Sequence, residues 1–368
     1  MKKFNNVYQG KTILVTGHTG FKGSWLCVWL IELGANVIGY ALDPYTDKDN
    51  FILANLSNKL IDIRGDIRDR AKLNDVFLKY KPEIVFHLAA QPLVLESYKN
   101  PVGTYETNVM GTINILENIR TTEETKIGIF ITTDKCYENK EHLWPYREND
   151  AMGGYDPYSS SKGACEIAIN SWRQSFFHPE KFDVHGKSIA SVRAGNVIGG
   201  GDWSDYRIIP DCIKSIESNH PIELRHPTSI RPWQHVLEPL SGYLLLGEKL
   251  LESPTQYCEG WNFGPEIKET KQVKEVAWHI LKYFGNGSII EQSNNQLHEA
   301  NLLLLDITKA NFKLGWKPTL SFNQCIQFTL DWYKNYSSVD VYDLCVKQIQ
   351  KFSQLGEIDD GKDIDNGC

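Results

Sequence analysis

Residues 16–23 read T-G-H-T-G-F-K-G and stand between a run of β-branched and apolar residues, 12–16, and an amphipathic stretch, 21–34. Glycine at every third position (Gly17, Gly20, Gly23) permits a tight turn and close approach of the backbone to a ligand. The helix that follows opens with unpaired N–H groups, which favour an anion. A pyrophosphate is the group such a turn accommodates, so the segment reads as a dinucleotide-binding loop. Glycines needed only to pack helix against strand are the plainer alternative. Two features depart from the pattern. His18 and Lys22 are bulky or charged where small or apolar residues suit a phosphate more easily. The acid expected about 20 residues on, for the adenosine ribose, is also displaced. The second strand ends Tyr40-Ala41-Leu42-Asp43-Pro44, leaving Asp43 as the candidate. Dinucleotide binding is therefore expected to be weaker than with a small loop and a well-placed acid.

Apolar runs at 36–42, 60–66, 83–90, 128–133 and 188–195 alternate with helix-like stretches at 69–80, 101–122 and 156–175. Alternation of this kind implies right-handed crossovers, hence an α/β fold with a Rossmann-like, doubly wound parallel sheet. After residue 195 the rhythm breaks. The glycine-rich G-N-V-I-G-G-G-D-W, 195–203, is followed by prolines at 210, 221, 227, 232 and 239. Residues 1–195 thus read mainly as the dinucleotide-binding domain. Residues 196–340 read mainly as a smaller mixed C-terminal substrate lobe, with helices near 236–252, 271–284 and 320–335. Residues 341–368 are expected to form a C-terminal helix and a disordered acidic tail, since E-I-D-D-G-K-D-I-D-N-G-C has few large apolar residues.

Lys and Arg number 39 against 46 Asp and Glu, a net charge of −7, which argues against a nucleic-acid surface. No apolar run is long enough to span a bilayer. The start, M-K-K-F-N-N-V-Y-Q-G-K-T, lacks the apolar segment of a secretory signal. Eight scattered cysteines without a C-x-x-C spacing read as reduced thiols. A cytoplasmic, metal-free protein is expected.

The strand G-I-F-I-T-T ends in Thr133 and is followed directly by Asp134-Lys135. An Asp–Lys dipeptide is ordinarily a solvated surface pair. Among 17 tyrosines only Tyr158 has a lysine four residues later, Lys162. On a helix the two share a face, where a lysine lowers the phenol's pKa and lets it accept a hydroxyl proton as hydride moves. Ligands of open α/β sheets lie at the carboxyl edge, so Thr133, Asp134, Lys135, Tyr158 and Lys162 are expected to line one cleft. Asp66, ahead of Ile67, either accepts from an adenine amino group or caps the helix near 69–80. Asn196, Arg207 and Arg231 are candidates for a diphosphate, although each alone is an ordinary surface group. Trp203, Trp233 and His298 either contact that ligand or belong to the core.

In order along the chain, T-G-x-x-G-F-x-G, H-L-A-A-Q (87–91), T-N-V-x-G-T (107–112) and Y-x-x-x-K resemble the extended short-chain dehydrogenase/reductases. That family includes nucleotide-sugar epimerases and dehydratases, and the resemblance covers about residues 10–335. Longer runs, T-D-K-C-Y, G-G-Y-D-P-Y-S-x-S-K-G, V-R-A-G-N-V-I-G-G-G-D-W and I-R-P-W-Q-H-V-L, resemble its CDP-glucose dehydratase branch. The resemblance implies NAD held by Gly17, His18, Thr19, Gly20, Phe21, Lys22, Gly23, Asp43, Asp66, Ile67, Ala89, Ala90, Gln91, Asn108, Tyr158 and Lys162. It implies CDP-glucose bound by Thr133, Asn196, Arg207, Arg231 and His298. Tyr158 is then the C4 base, Lys162 its tuner, Thr133 the hydroxyl partner and Asp134 the acid for the departing C6 oxygen. Most dehydratases of the family have Glu where Lys135 stands, which leaves Lys135 as either the C5 base or an electrostatic stabiliser. The implied hydro-lyase reaction oxidises C4, eliminates water across C5–C6 and returns hydride to C6, on the route to the 3,6-dideoxyhexoses of surface polysaccharides. In the family, helices such as 101–122 and 156–175 pair across a homodimer. A 4-epimerase shares the Tyr–Lys pair without needing Asp134–Lys135, and a non-catalytic dinucleotide sensor usually lacks the Tyr or the Lys.

Overall fold

The computed structural model describes residues 4–291 and 302–362. Strand β1 (Thr12–Thr16) leads into helix α1 (Phe21–Glu32), and β2 (Asn36–Ala41), β3 (Ile61–Arg64) and α2 (Arg70–Tyr80) follow. Next come β4 (Ile84–His87), a helix Pro101–Tyr105, a π-helical turn Glu106–Met110, and α3 (Gly111–Thr121). β5 (Ile127–Ile131), α4 (Pro157–Ser175), β6 (Ser188–Arg193) and, far along the chain, β7 (Gly260–Asn262) complete the sheet. Its order is β7-β6-β5-β4-β1-β2-β3, and every neighbouring pair is parallel. β1 lies inside this order: the chain runs outward to β3, then returns to lay β4 on the other flank of β1. Loops after β1 and β4 therefore diverge, which opens a crevice at their carboxyl ends.

β4 and β5 are buried along their whole length, as their unbroken apolar runs require between two helical layers. One apolar cluster fills each face of the sheet. The larger draws in helix α5 (Leu237–Glu252) and helix α6 (Val341–Lys362), whose Phe352 ring packs edge-on against Trp29 of α1 at 5.9 Å. The acidic end stays helical through Lys362, and residues 363–368 lie outside the described residues.

Two elements of the second half differ from the reading of the sequence. Gly260–Asn262 adds a seventh strand, anchored by the fully buried Trp261; three residues carry no legible period. Ile208–Glu217 is helical despite Pro210. Pro210 falls in the first turn, where its missing N–H costs no helical hydrogen bond.

α4 is locked to β6 by one buried ion pair. Arg193 Nη2 lies 2.8 Å from Glu166 Oε2, and Ser191 Oγ donates to the same oxygen at 2.7 Å. Both members are almost fully buried. Removing one partner strands the other charge, so Glu166→Ala is expected to cost about 3–5 kcal/mol. Thermal unfolding should show a large fall in Tm for Glu166→Ala and recovery of much of it in Glu166→Ala/Arg193→Met.

Candidate active site

Gly17 adopts φ +73°, and a Cβ there would lie 2.8 Å from Ala89 N. A Cβ on Gly23 would meet Gly17 O at 2.1 Å. These two glycines serve close packing of β1, β4 and α1. Gly20 is different: an added Cβ would find only Gly17 O, at 3.4 Å, so this face of the loop stays open. Gly20 is also the N-cap of α1, with no side-chain cap on the helix's first N–H groups. An uncapped helix start beneath an open glycine face fits the pyrophosphate of a dinucleotide.

The β1–β4 junction is held by side chains. Thr16 Oγ1 accepts from Ala89 N at 3.2 Å and shares a 2.7 Å hydrogen bond with His87 Nδ1, while His87 Nε2 reaches Thr112 Oγ1 at 3.2 Å. Burial first, and then Lys162, push the His87 imidazole down to about 3, so it bridges as a neutral ring. Ala89, Ala90 and Gln91 follow, half-buried. Fully buried Asn108 fixes that loop: Gln91 N donates to its Oδ1 at 2.8 Å, and its Nδ2 donates to Gln91 O at 3.1 Å and Ser161 Oγ at 2.9 Å. Asn108 sits in the π-helical turn, whose extra residue leaves its carbonyl to accept from Thr112 Oγ1 at 2.6 Å.

His18 does not crowd the loop, contrary to the expectation from its bulk. Its ring is fully buried beneath β2 and β3, over Gly39, where a Cβ would lie 2.2 Å away. There Nε2 meets Asp62 Oδ1 at 2.8 Å, and Phe51 packs edge-on at 5.2 Å. Thr19 Oγ1 donates to Leu42 O at 3.0 Å, and the Phe21 ring lies against Gly199. Asp43 is exposed, two residues beyond β2, with Arg64 Nε at 3.5 Å. Asp66 is held by Arg68 through Nε at 3.0 Å and Nη2 at 2.6 Å, which lowers its carboxyl below the usual range. The cap of α2 is Asp69, which accepts from Lys72 N, so the capping alternative for Asp66 does not hold. Ile67 is buried against Gly111, and its carbonyl accepts from Asn114 Nδ2 at 3.0 Å.

At the end of β5, Thr133 Oγ1 donates to Asp134 Oδ1 at 2.9 Å and also hydrogen-bonds the Tyr158 side chain. Tyr158 is only 8% exposed. Burial raises its phenol pKa, the Thr133 hydrogen bond lowers it, Asp134 raises it and Arg207 lowers it. Lys162 Nζ donates to Ile131 O at 3.4 Å, and its ammonium is destabilised by burial. Arg207 is thus a cation acting on the phenol that the Y-x-x-x-K spacing does not reveal.

Asp134 and Lys135 do not form a surface pair. Asp134 is 3% exposed, and it fits because Gly195 lacks a Cβ, which would stand 1.8 Å from Oδ2. Asn196 Nδ2, from a left-handed residue at φ 51°, approaches that oxygen at 3.4 Å. Lys135 is half-buried and makes no side-chain hydrogen bond or ion pair among the described residues. Arg207 Nη1 meets Asp202 Oδ2 at 2.6 Å. Arg231 lies in a short strand, Ile230–Arg231, paired with Lys271–Gln272. His298 lies outside the described residues. Trp203 and Trp233 are buried in the larger core cluster. Glu166 and Asp202, which support Thr132 and Arg207, escaped the sequence reading; the spacing Lys162-x-x-x-Glu166 was the available signal.

A parallel sheet with an open glycine turn at its switch point, and Thr, Asp, Tyr and Lys gathered at the next strand end, define a dinucleotide-binding protein with acid–base groups. Residues 14–329 match the family model described as GDP-mannose 4,6 dehydratase, and the chain belongs to that family. It is 48% identical, over 93% of its length and 96% of the relative, to the CDP-glucose 4,6-dehydratase of Salmonella typhimurium. A UDP-glucose 4-epimerase of Rhizobium leguminosarum is 27% identical over 88% of this chain and 98% of its own. Among solved structures, the Thermotoga maritima UDP-glucose 4-epimerase superposes with a TM-score of 0.75 at 23% identity, covering 89% of this chain and all of that one. The Bacillus anthracis dTDP-glucose 4,6-dehydratase, in complex with NAD, gives 0.73 at 20% identity over 89% and 97%. Both share the fold.

The neutral His87 makes stability depend on pH. Its folded pKa of about 3 lies below the unfolded value of about 6.5, so the unfolded chain binds the proton first. Stability is expected to be fully present above about pH 6.5 and to fall as the pH drops toward 3. Urea unfolding midpoints across that range check this, and His87→Gln should lessen the dependence without removing it, because burial also pushes His235 down to about 3.

Proposed function

We propose that this chain is an NAD-dependent CDP-glucose 4,6-dehydratase, converting CDP-glucose to CDP-4-dehydro-6-deoxyglucose and water. One observation carries the reading: a buried carboxylate, Asp134, hydrogen-bonded to Thr133 beside Tyr158. Epimerisation at C4 needs no group to protonate a departing oxygen; loss of water does. The 48% identity with the Salmonella dehydratase supports the CDP-sugar.

NAD, when bound, supplies the acceptor for the C4 hydride and returns that hydride at C6. Tyr158 takes the C4 hydroxyl proton, with Thr133 holding the same hydroxyl. Burial opposes ionisation of the phenol, so the positive field of Arg207, and of Lys162 on the same helix face, has to offset it. The resulting C4 ketone acidifies the C5 proton. Asp134, which must carry a proton for this step, then donates it to the C6 oxygen as the C6–O bond breaks and water leaves, while Lys135 either accepts the C5 proton as a neutral amine or, as the ammonium, stabilises the enolate across C4–C5 while another group takes that proton. Gly17, His18, Thr19, Gly20, Phe21, Lys22 and Gly23, with Asp43, Asp66, Ile67, Ala89, Ala90, Gln91 and Asn108, belong to the cofactor side, His18 through packing beneath the loop. Asn196, Arg207, Arg231 and His298 are assigned to the nucleotide sugar, in keeping with residues 196–340 serving mainly the substrate. The setting is the cytoplasm, where the seven free, buried cysteines among the described residues stay reduced.

Incubation with CDP-glucose should yield the 4-keto-6-deoxy product, identified by proton NMR; CDP-galactose instead would make this chain an epimerase. Lys135→Ala is expected to reduce bound NAD with CDP-glucose yet stall before water loss, with NADH absorbance accumulating and little solvent deuterium entering C5. Near-normal dehydration by this variant would remove Lys135 from the chemistry.

A homodimer is part of the proposal. Val102 is 69% exposed, Met110 50% and Ile167 63%, on the segments Pro101–Thr121 and α4. Apolar side chains so exposed on adjacent helices suit a second copy of the chain. Light scattering at micromolar concentration should give twice the chain mass, and Val102→Glu/Ile167→Glu should give the monomer.

A further inference from the structure

Gln234 stands in the run I-R-P-W-Q-H-V-L, whose Arg231 is assigned to the nucleotide sugar and whose other polar residues have no role so far. It belongs to the two-residue strand Gln234–His235, parallel to Val197–Ile198, and is buried. Its Nε2 donates to Gly195 O at 3.1 Å and to Phe263 O at 3.0 Å, and Gln234 N donates to Asn196 O at 3.2 Å. Two carbonyl acceptors fix which end of the amide faces them. Oε1 meets no donor among the described residues, so the site uses the amide for its N–H groups. Both hydrogens of Nε2 go to strand ends, one just beyond β6 and the other just beyond β7.

These bonds bear on Asp134, whose carboxyl is held from two sides. Thr133 Oγ1 engages Oδ1 at 2.9 Å from the end of β5 itself. Across from it lies the turn Gly195–Asn196. A Cβ on Gly195 would stand 1.8 Å from Oδ2, and Asn196, left-handed at φ 51°, brings Nδ2 to 3.4 Å from the same oxygen. The turn belongs to no strand, and Gln234 binds both of its carbonyls, one through its side chain and one through its backbone. Loss of the side-chain donors leaves Gly195 O and Phe263 O, both on buried residues, short of a partner, so the turn relaxes away from Asp134. Tyr158 and Lys162, which serve oxidation at C4, stand on α4 and do not depend on that turn.

We propose that Gln234 is a positioning residue for water loss, holding the Gly195–Asn196 turn so that Asp134 is aimed at the departing C6 oxygen. The inference rests on the dehydratase reading above. It gives the second half of the reaction a support of its own, separate from the Glu166–Arg193 pair that locks α4.

Rapid-mixing measurement of NADH formation, alongside the rate of 4-keto-6-deoxy product formation, tests this with CDP-glucose and added NAD in the wild type, Gln234→Met and Gln234→Glu. Gln234→Met keeps the length of the side chain and loses both donors. Its oxidation rate and KM should stay within about threefold of the wild type while water loss falls about 30- to 100-fold, the order expected for a reacting group misplaced by about 1 Å. NADH absorbance should accumulate. Solvent deuterium should still enter C5 of the stalled 4-keto sugar, in contrast to Lys135→Ala, because the groups that act at C5 are untouched. Gln234→Glu, whose neutral carboxyl donates once, should retain more water loss than Gln234→Met. Equal falls in oxidation and water loss, with a lowered Tm, would make Gln234 a structural residue and overturn the proposal. Unchanged water loss in Gln234→Met, or no deuterium at C5, would overturn it as well. If Gln234→Met does not fold, the isosteric Gln234→Glu carries the same comparison. Formation of CDP-galactose by the wild type would overturn the dehydratase reading instead.

Discussion

The Glu166–Arg193 pair is the interaction around which the reacting end is assembled. Burial pushes the Glu166 carboxyl up, but Arg193, Thr132 and Ser191 together hold it down to about 2. It therefore stays ionised inside the sheet–helix interface. Glu166 accepts from Thr132, the residue before Thr133; Arg193 also contacts Tyr137, whose hydroxyl donates to Asn262 Oδ1 at 2.7 Å. One pair thus ties α4, the end of β5, β6, the segment after Asp134–Cys136 and β7. A buried ion pair is weak evidence of net stability, since desolvation offsets most of its attraction. Its value here is register: Tyr158 and Lys162 on α4 can face Thr133 only if α4 stands at one height against the end of β5.

A second constraint acts on the cofactor side. Gly17 and Ala89 come close enough to exclude a Cβ, and Thr16, His87 and Thr112 link the two strand ends to α3. The crevice between the loops after β1 and β4 is thereby narrowed by backbone contact and held by neutral hydrogen bonds. The two devices differ in kind for a physical reason. A charged clamp beneath the phosphate loop would compete with the ligand's own charge, whereas the clamp under Thr133 lies behind the strand.

Much of the first half was legible because its strands are buried on both faces and its helices follow turn residues, so that apolar period and element coincide. I-G-I-F-I and T-I-L-V-T allow little else. The cluster of Thr133, Asp134, Tyr158 and Lys162 was legible for the same reason, since strand ends in a parallel sheet share one edge. What escaped depends on contacts between distant segments. His18 reads as an obstruction until Gly39, 21 positions on, is seen to leave room for its ring. Asp134 is legible as a cleft residue from its place at a strand end, but its burial is not, because that depends on Gly195, 61 positions on, leaving room for the carboxylate. β7 has too few residues for a period, and Pro210 conceals a helix by residing where proline is harmless. In each case a missing Cβ, a single tryptophan or one position in a turn decides the outcome. None of these has a local signature.

The charge around the cleft carries the argument a step further. Lys22, Lys162 and Arg207 stand within reach of one another against Asp134 and Asp202, three cations to two carboxylates. Asp202 is spent on Arg207, and Asp134 is turned toward Thr133 and Asn196. The excess is positive in a chain whose net charge is −7, so it is local and not a by-product of composition. A half-buried excess of this kind destabilises the protein that carries it, and the burial-driven fall of Lys22 and Lys162 is the measure of that cost. Such an arrangement persists where a ligand completes it. A dinucleotide and a nucleotide sugar each bring a pyrophosphate, so the charge that the fold leaves unbalanced is the charge that both ligands supply.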